Sequence, residues 1–168
     1  MSSADFAHEE EHGVDAMNEA LGEIATPVNF ARICAVFDRE GWKYECSDSE
    51  IRGGFDSKPV IVHFSEQDNR LDFSSIIVDG LADLDADDLL GFIEEWHCTR
   101  ILPKAYLFST EDLENVIRLE HAVLFTDGEG RPVGATDGQL QICVKQFIYA
   151  VLSFHQEFAA AYGEGIES

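Results

Sequence analysis

Apolar residues recur along this chain in two rhythms, one of three to four residues and one of two. The sharpest change between them lies in Asp85 to Ser109, DADDLLGFIEEWHCTRILPKAYLFS. Leu89, Phe92, Ile93 and Trp96 are spaced for one face of a helix. Asp85 suits the cap of that helix, Asp87 and Asp88 suit its positive end, and Pro103 stops it. Ala105 to Phe108 is then a short, wholly apolar run that predicts a strand.

The rest of the chain builds around that joint. Thr26-Pro27 predicts the opening of a first helix, with Thr as cap and Pro at the first helical position. Phe30, Ile33, Cys34 and Phe37 form its apolar stripe, and Gly41 ends it. Four strands follow. Lys43 to Cys46 and Glu50 to Phe55 read as a hairpin about a Ser-Asp-Ser turn, and Ser57 to Pro59 breaks the chain before Val60 to Ser65. After the turn Gln67 to Asn69 comes Arg70 to Asp79, whose later residues are apolar on both sides. Beyond the central helix, Lys104 to Ser109 and Asn115 to Thr126 are strands with a connection short enough for an antiparallel pair. A Gly-rich loop leads to Thr136-Asp137-Gly138-Gln139, a capping box. Leu140, Cys143, Val144, Phe147, Val151, Phe154 and Phe158 then stripe a long helix.

The order α-β-β-β-β-α-β-β-α lacks strict βα alternation, so the fold class is α+β: an antiparallel sheet flanked by helices. Residues 1–25 read as an acidic, flexible lead-in and 163–168 as a frayed tail, leaving 26–162 as one domain. The hydrophobic content of 45% in 168 residues supports a single core of that size.

Charge narrows the partners. Eleven basic against 33 acidic residues give a net charge of −22, a field that opposes nucleic acid and anionic lipid. No apolar run reaches the length of a membrane-spanning helix, and the first residues lack the pattern of a signal peptide, so a cytoplasmic protein is expected. Cys34, Cys46, Cys98 and Cys143 are scattered, and three of them sit among apolar helical residues, as for buried thiols in a reducing compartment.

Several stretches resemble one family. FARICAVFDREGWKYE is a helix closing at Gly41 before an aromatic strand; GGFDSKPVIVHF, and Trp96 followed seven residues later by Pro103-Lys104-Ala105-Tyr106, continue the likeness. HAVLFTDGEGRPVGATDGQL extends it, so that residues 27–162 resemble the YbjN-domain family, whose members are described as bacterial sensory transduction regulators. His97 and Leu102 depart from the Asn and the aromatic common there. The resemblance implies a fold similar to type III secretion chaperones, a homodimer and a polypeptide partner. It implies no active site.

Candidate chemistry is sparse. HEEEH at residues 8–12 matches HExxH literally, but no apolar face surrounds it; solvated chain is the expectation. GEGRPVG at 128–134 lacks the Lys-Ser/Thr of a phosphate loop, and Asp127 and Glu129 oppose an anion. Asp83, Asp85, Asp87 and Glu94 fall at calcium-loop spacing, yet Asp88 stands where Gly is needed, and helix capping accounts for the same carboxylates. His63, His97, His121 and His155 are candidate pH-responsive groups. His121, on an apolar strand face, reads as a satisfied buried histidine, and His97 suits the negative end of its helix.

No catalytic residue, cofactor or metal ligand is therefore assigned. The first hypothesis is a non-enzymatic protein-interaction module, with Phe30, Phe37, Trp42, Phe73, Phe92 and Trp96 as a possible apolar surface at the helix–sheet boundary. The alternative is a ligand-sensing regulator with an apolar pocket between the sheet and the last helix, using Arg52 or His121.

Overall fold

The computed structural model describes residues 24–163 other than Asp79. The HEEEH stretch, most of the acidic lead-in and residues 164–168 lie outside the described residues.

The elements run in the order β1 (Thr26–Pro27), α1 (Phe30–Arg39), β2 (Tyr44–Cys46), β3 (Glu50–Phe55), β4 (Lys58–Ser65), β5 (Arg70–Ile77), α2 (Ala86–Thr99), β6 (Lys104–Phe108), β7 (Val116–Leu124), β8 (Gly134–Ala135) and α3 (Asp137–Tyr162). Six strands form an antiparallel sheet in the order β2-β3-β4-β5-β7-β6. The α2 crossover sets β6 at the edge, and β7 returns into the space between β5 and β6. The three long helices and the antiparallel sheet are those expected from sequence.

Two local expectations need correction. Thr26-Pro27 does not open α1; it pairs with β8, with Thr26 opposite Ala135 and Pro27 opposite Gly134. Asn29 caps the helix instead, its side chain accepting from the Arg32 amide at 3.0 Å. The reason is tertiary. The Arg32 guanidinium donates to Thr26 O at 2.7 Å, Pro27 O at 2.9 Å and Ala135 O at 2.8 Å, and pairs with Asp137 at 2.5 Å. Gly134 lets the two backbones approach, since a Cβ there would lie 2.7 Å from the Thr26 carbonyl.

The second correction concerns the β3–β4 turn. The chain reverses at Asp56-Ser57, both in the left-handed region with φ of 47° and 63°, and Pro59 is already within β4. Left-handed central residues match the twist of a two-residue hairpin. The sequence signal was weak because neither residue is glycine.

Alternate residues of every long strand turn toward the helices. Ile51, Val60, Val62, Phe64, Leu71, Phe73, Ile77, Ala105, Ile117 and Leu119 are buried there against Ile33, Phe37, Leu89, Ile93, Trp96 and the α3 stripe from Leu140 to Phe158. Phe73 stacks on Phe147 at 4.9 Å, which fills the space between sheet and α3. At the central joint Trp96 Nε1 donates to Pro103 O and the Ala105 amide donates to His97 Nε2, each at 3.0 Å. His97 thus ties the end of α2 to the start of β6 through its ring nitrogen. Cys34 and Cys143 are half-buried; Cys98 is exposed, contrary to its expected burial, because it points away from the Leu89–Trp96 face.

His155 on α3 carries a buried Nε2 with no described hydrogen-bond partner. Burial, and secondarily Lys58, lowers its pKa from 6.5 to about 4. The folded state therefore refuses a proton that the unfolded chain accepts, so stability falls as pH drops from 6.5 toward about 4 and then levels. Replacing His155 with leucine should remove that slope. Urea midpoints measured across this window should show the parent losing about 1–2 kcal/mol more than the variant, after discounting for partial solvent exposure. Parallel pH profiles would contradict the assignment.

Candidate functional site

The period of two that fills one face of the sheet also populates the other. Glu50 and Arg52 on β3, Ile61 and His63 on β4, Arg70, Asp72, Ser74 and Ile76 on β5, Arg118, Glu120 and Ala122 on β7, and Lys104 and Tyr106 on β6 all project away from the helices. Register places them in rows. Arg52, Ile61, Ser74, Glu120 and Lys104 cross five strands, and Glu50, His63, Asp72 and Ala122 lie in the row beside them. Ile76, Arg118 and Tyr106 flank the first row on its other side. Five strands spaced by ~4.8 Å make the long row roughly 19 Å across.

This face forms a concavity of about 980 Å³, with Ile101 and Leu102 as part of its wall. The wall is apolar where it meets β6: Ile101 is 92% exposed and Tyr106 44%. Exposed apolar residues gathered beside an open sheet face are a feature of interaction surfaces.

Its charge contrasts with the rest of the molecule. Arg52, Arg70, Lys104 and Arg118 are four of the 11 basic residues, while Glu50, Asp72 and Glu120 are three of the 33 acidic ones. The face is thus close to neutral on a chain of net charge −22. Within it, three arginines pair with carboxylates two positions away: Arg52 with Glu50 at 2.5 Å, Arg70 with Asp72 at 2.9 Å and Arg118 with Glu120 at 2.5 Å. Lys104 has no ion-pair partner among the described residues.

Asp72, His63 and Ser74 are neighbours here, which invites comparison with a hydrolytic triad. His63 Nδ1 lies 3.8 Å from Asp72 Oδ2, beyond hydrogen-bond distance, and no described hydrogen bond joins Ser74 to the imidazole. The arrangement is one of paired surface charges and apolar contacts, suited to recognition.

The six aromatic residues named from sequence as a surface occupy other places. Phe37, Phe73 and Trp96 are fully buried, and Phe30, Trp42 and Phe92 are partly buried against the same core. Large rings at helical or alternating spacing go first to the core, because that is where the most apolar area leaves water. Arg52 and His121 do not converge either. Arg52 is on the open face, while His121 is on the helix side, stacked near Phe73 at 6.2 Å, with its pKa lowered by burial.

The remaining sequence candidates have structural roles. Asp85 accepts from the Asp87 amide at 2.8 Å as the cap of α2. In the Gly-rich loop the Asp127 carboxylate accepts from the amides of Glu129 and Arg131, both at 2.9 Å, and from Arg131 Nε at 2.7 Å. Those amides would have to face a bound phosphate, and a carboxylate already holds them. These bonds also hold Asp127 below the usual carboxylate range. Among the described residues no cluster of three or more His, Cys, Asp or Glu side chains is placed to hold a metal ion.

The geometry can be set beside known proteins. The family model of YbjN, described as "Putative bacterial sensory transduction regulator", matches residues 29–160. The chain belongs to the YbjN family. The crystal structure of E. coli YbjN, described there as "a putative transcription regulator", superposes with a TM-score of 0.64 at 14% identity, covering 83% of this chain and 96% of that one. At such low identity the YbjN likeness establishes a shared fold and assigns no residue a role. No curated protein matches the chain.

The residues that sequence reasoning missed as a site, chiefly Lys104, Tyr106, Arg118 and Arg70, carried one legible signal. Each lies at the polar phase of an alternating strand. What was hidden in this YbjN-family chain was the strand order that gathers them.

Proposed function

We propose that this chain is a non-enzymatic regulatory module that receives another polypeptide on the open face of its sheet. The observation that carries this proposal is a nearly neutral sheet face, left uncovered among the described residues, on a strongly acidic molecule. A protein partner meets less repulsion there than anywhere carboxylates dominate, and Tyr106, Ile76 and Ile101 offer apolar anchors between paired charges. The family's description as a regulator agrees with a role in binding.

The test uses the full chain and a variant carrying Lys104→Glu, Tyr106→Ser and Arg118→Glu. All three side chains are exposed, so the fold should survive. A polypeptide captured by the parent should bind the variant at least tenfold more weakly, an effect of the size expected when an aromatic anchor and two charges are lost. Hydrogen exchange should show the complex protecting β5, β7 and β6. Equal capture by both proteins, or protection confined to the helices, would refute the assignment.

A further inference from the structure

A second cleft lies toward the opposite edge of the sheet, on the helix side. The tip of the β3–β4 hairpin, the end of α1 and the middle of α3 border an open cleft of about 320 Å³ there. Trp42, Phe55 and Tyr149 bring three aromatic rings to it, with Ile148 and Leu152 on the α3 wall. The rings of Trp42 and Phe55 meet edge to face, with centroids 5.0 Å apart and planes at 88°. Trp42 packs on Phe37 in the same manner at 5.4 Å and 78°. Those contacts hold two of the rings in place. Tyr149, 59% exposed, is the third and is left unused by the core.

Two acidic residues, Glu40 and Asp56, are among those lining this cleft. Glu40 is engaged by Lys145 at 3.0 Å and by Gln141. Asp56, at the hairpin tip, has no ion-pair partner among the described residues.

We propose that this cleft binds a small organic cation, an ammonium or guanidinium group on a compact apolar body. Aromatic rings attract cations through their negative faces and supply apolar contact to the substituents. The volume is at the lower end of that of small-molecule sites. The free carboxylate of Asp56 supplies the counter-charge, and the net charge of −22 raises the local concentration of cations around the whole molecule. An anion would meet Asp56 and Glu40 unfavourably, and a neutral body would gain nothing from either.

The chain has two tryptophans, which give the experiment its own reference. Trp42 lines the cleft, and Trp96 is buried with its indole N–H on Pro103. The full chain is titrated with choline chloride at constant ionic strength, and the two indole N–H resonances are followed by NMR. The expected result is a saturable shift of Trp42 with Trp96 unmoved. The uncharged carbon isostere of choline should produce little of that shift. Asp56→Asn, which tolerates the left-handed turn, and Tyr149→Ala, at an exposed position, should each weaken binding about three- to fivefold. Three outcomes would overturn the proposal: an equal shift with the uncharged isostere, a linear response of both indoles, or unchanged affinity in both variants. A Lys- or Arg-containing peptide that saturates the Trp42 shift where choline and ethylguanidinium do not would also overturn it, by making the cation part of a protein partner.

Discussion

Replacing Arg32 with methionine should lower the unfolding free energy by about 2–4 kcal/mol, the range for breaking a largely buried charge-assisted network. The guanidinium side chain is only 18% exposed and touches three backbone carbonyls and the Asp137 carboxylate. Methionine keeps much of the apolar stem but removes the guanidinium from the three carbonyls, while the Asp137 carboxylate keeps Arg39 at 3.5 Å. The small β1–β8 sheet and the start of α3 should loosen first, because Arg32 is what joins them to α1. Urea unfolding would give the size of the loss, and hydrogen exchange at Thr26 and Ala135 would give its location. Arg32→Lys should recover only part, since one ammonium cannot reproduce the planar fork. The acid limb should change as well. The hydrogen bond from Arg32 holds the Asp137 carboxyl below its usual range. That bond contributes stability above the ordinary carboxylate pKa and loses it as pH falls, so the variant should lack this part of the acid sensitivity. An unchanged urea midpoint with unchanged exchange would show that β1 is held by something else.

The second large effect is expected at the central joint. Trp96→Phe should cost about 2–4 kcal/mol, combining a buried carbonyl left without a donor and a smaller ring in a packed site. Trp96 is 2% exposed, packs edge-on against Phe154 at 4.9 Å, and donates to the carbonyl of buried Pro103. That bond holds the end of α2 to the start of β6, next to the bond from the Ala105 amide to His97. Loss of the indole donor should therefore also speed exchange of the Ala105 amide. Its effect should reach the open face, because Lys104 and Tyr106 take their positions from β6. If Trp96→Phe unfolds at the parent's urea concentration, neither the indole hydrogen bond nor the larger ring stabilises the joint.

The two rhythms of the sequence carried most of the secondary structure. The cap at Asp85 and the capping box at Thr136 were legible because each depends on contacts within three residues, and both are present, with Thr136 and Gln139 bonded reciprocally. Thr26-Pro27 was misleading for the opposite reason. Locally it is a good helix start, but Arg32, β8 and Asp137 come from distant positions and hold it extended. The aromatic residues show the same limit from another side. Spacing put Phe37, Phe73 and Trp96 on apolar faces correctly, yet an apolar face cannot reveal whether another element covers it.

By itself, then, the sequence determined what is periodic or near-neighbour in origin: three helices, alternating strands, antiparallel character and two helix caps. Each rests on backbone geometry acting over a few residues. Only the tertiary structure decided which strands are adjacent, and hence that charges from β3, β5, β7 and β6 share one open face. It also decided that Trp42, Phe55 and Tyr149 meet at one cleft. Those juxtapositions join residues far apart in the chain, and the burial that drives them is proportional to area removed from water and indifferent to sequence order.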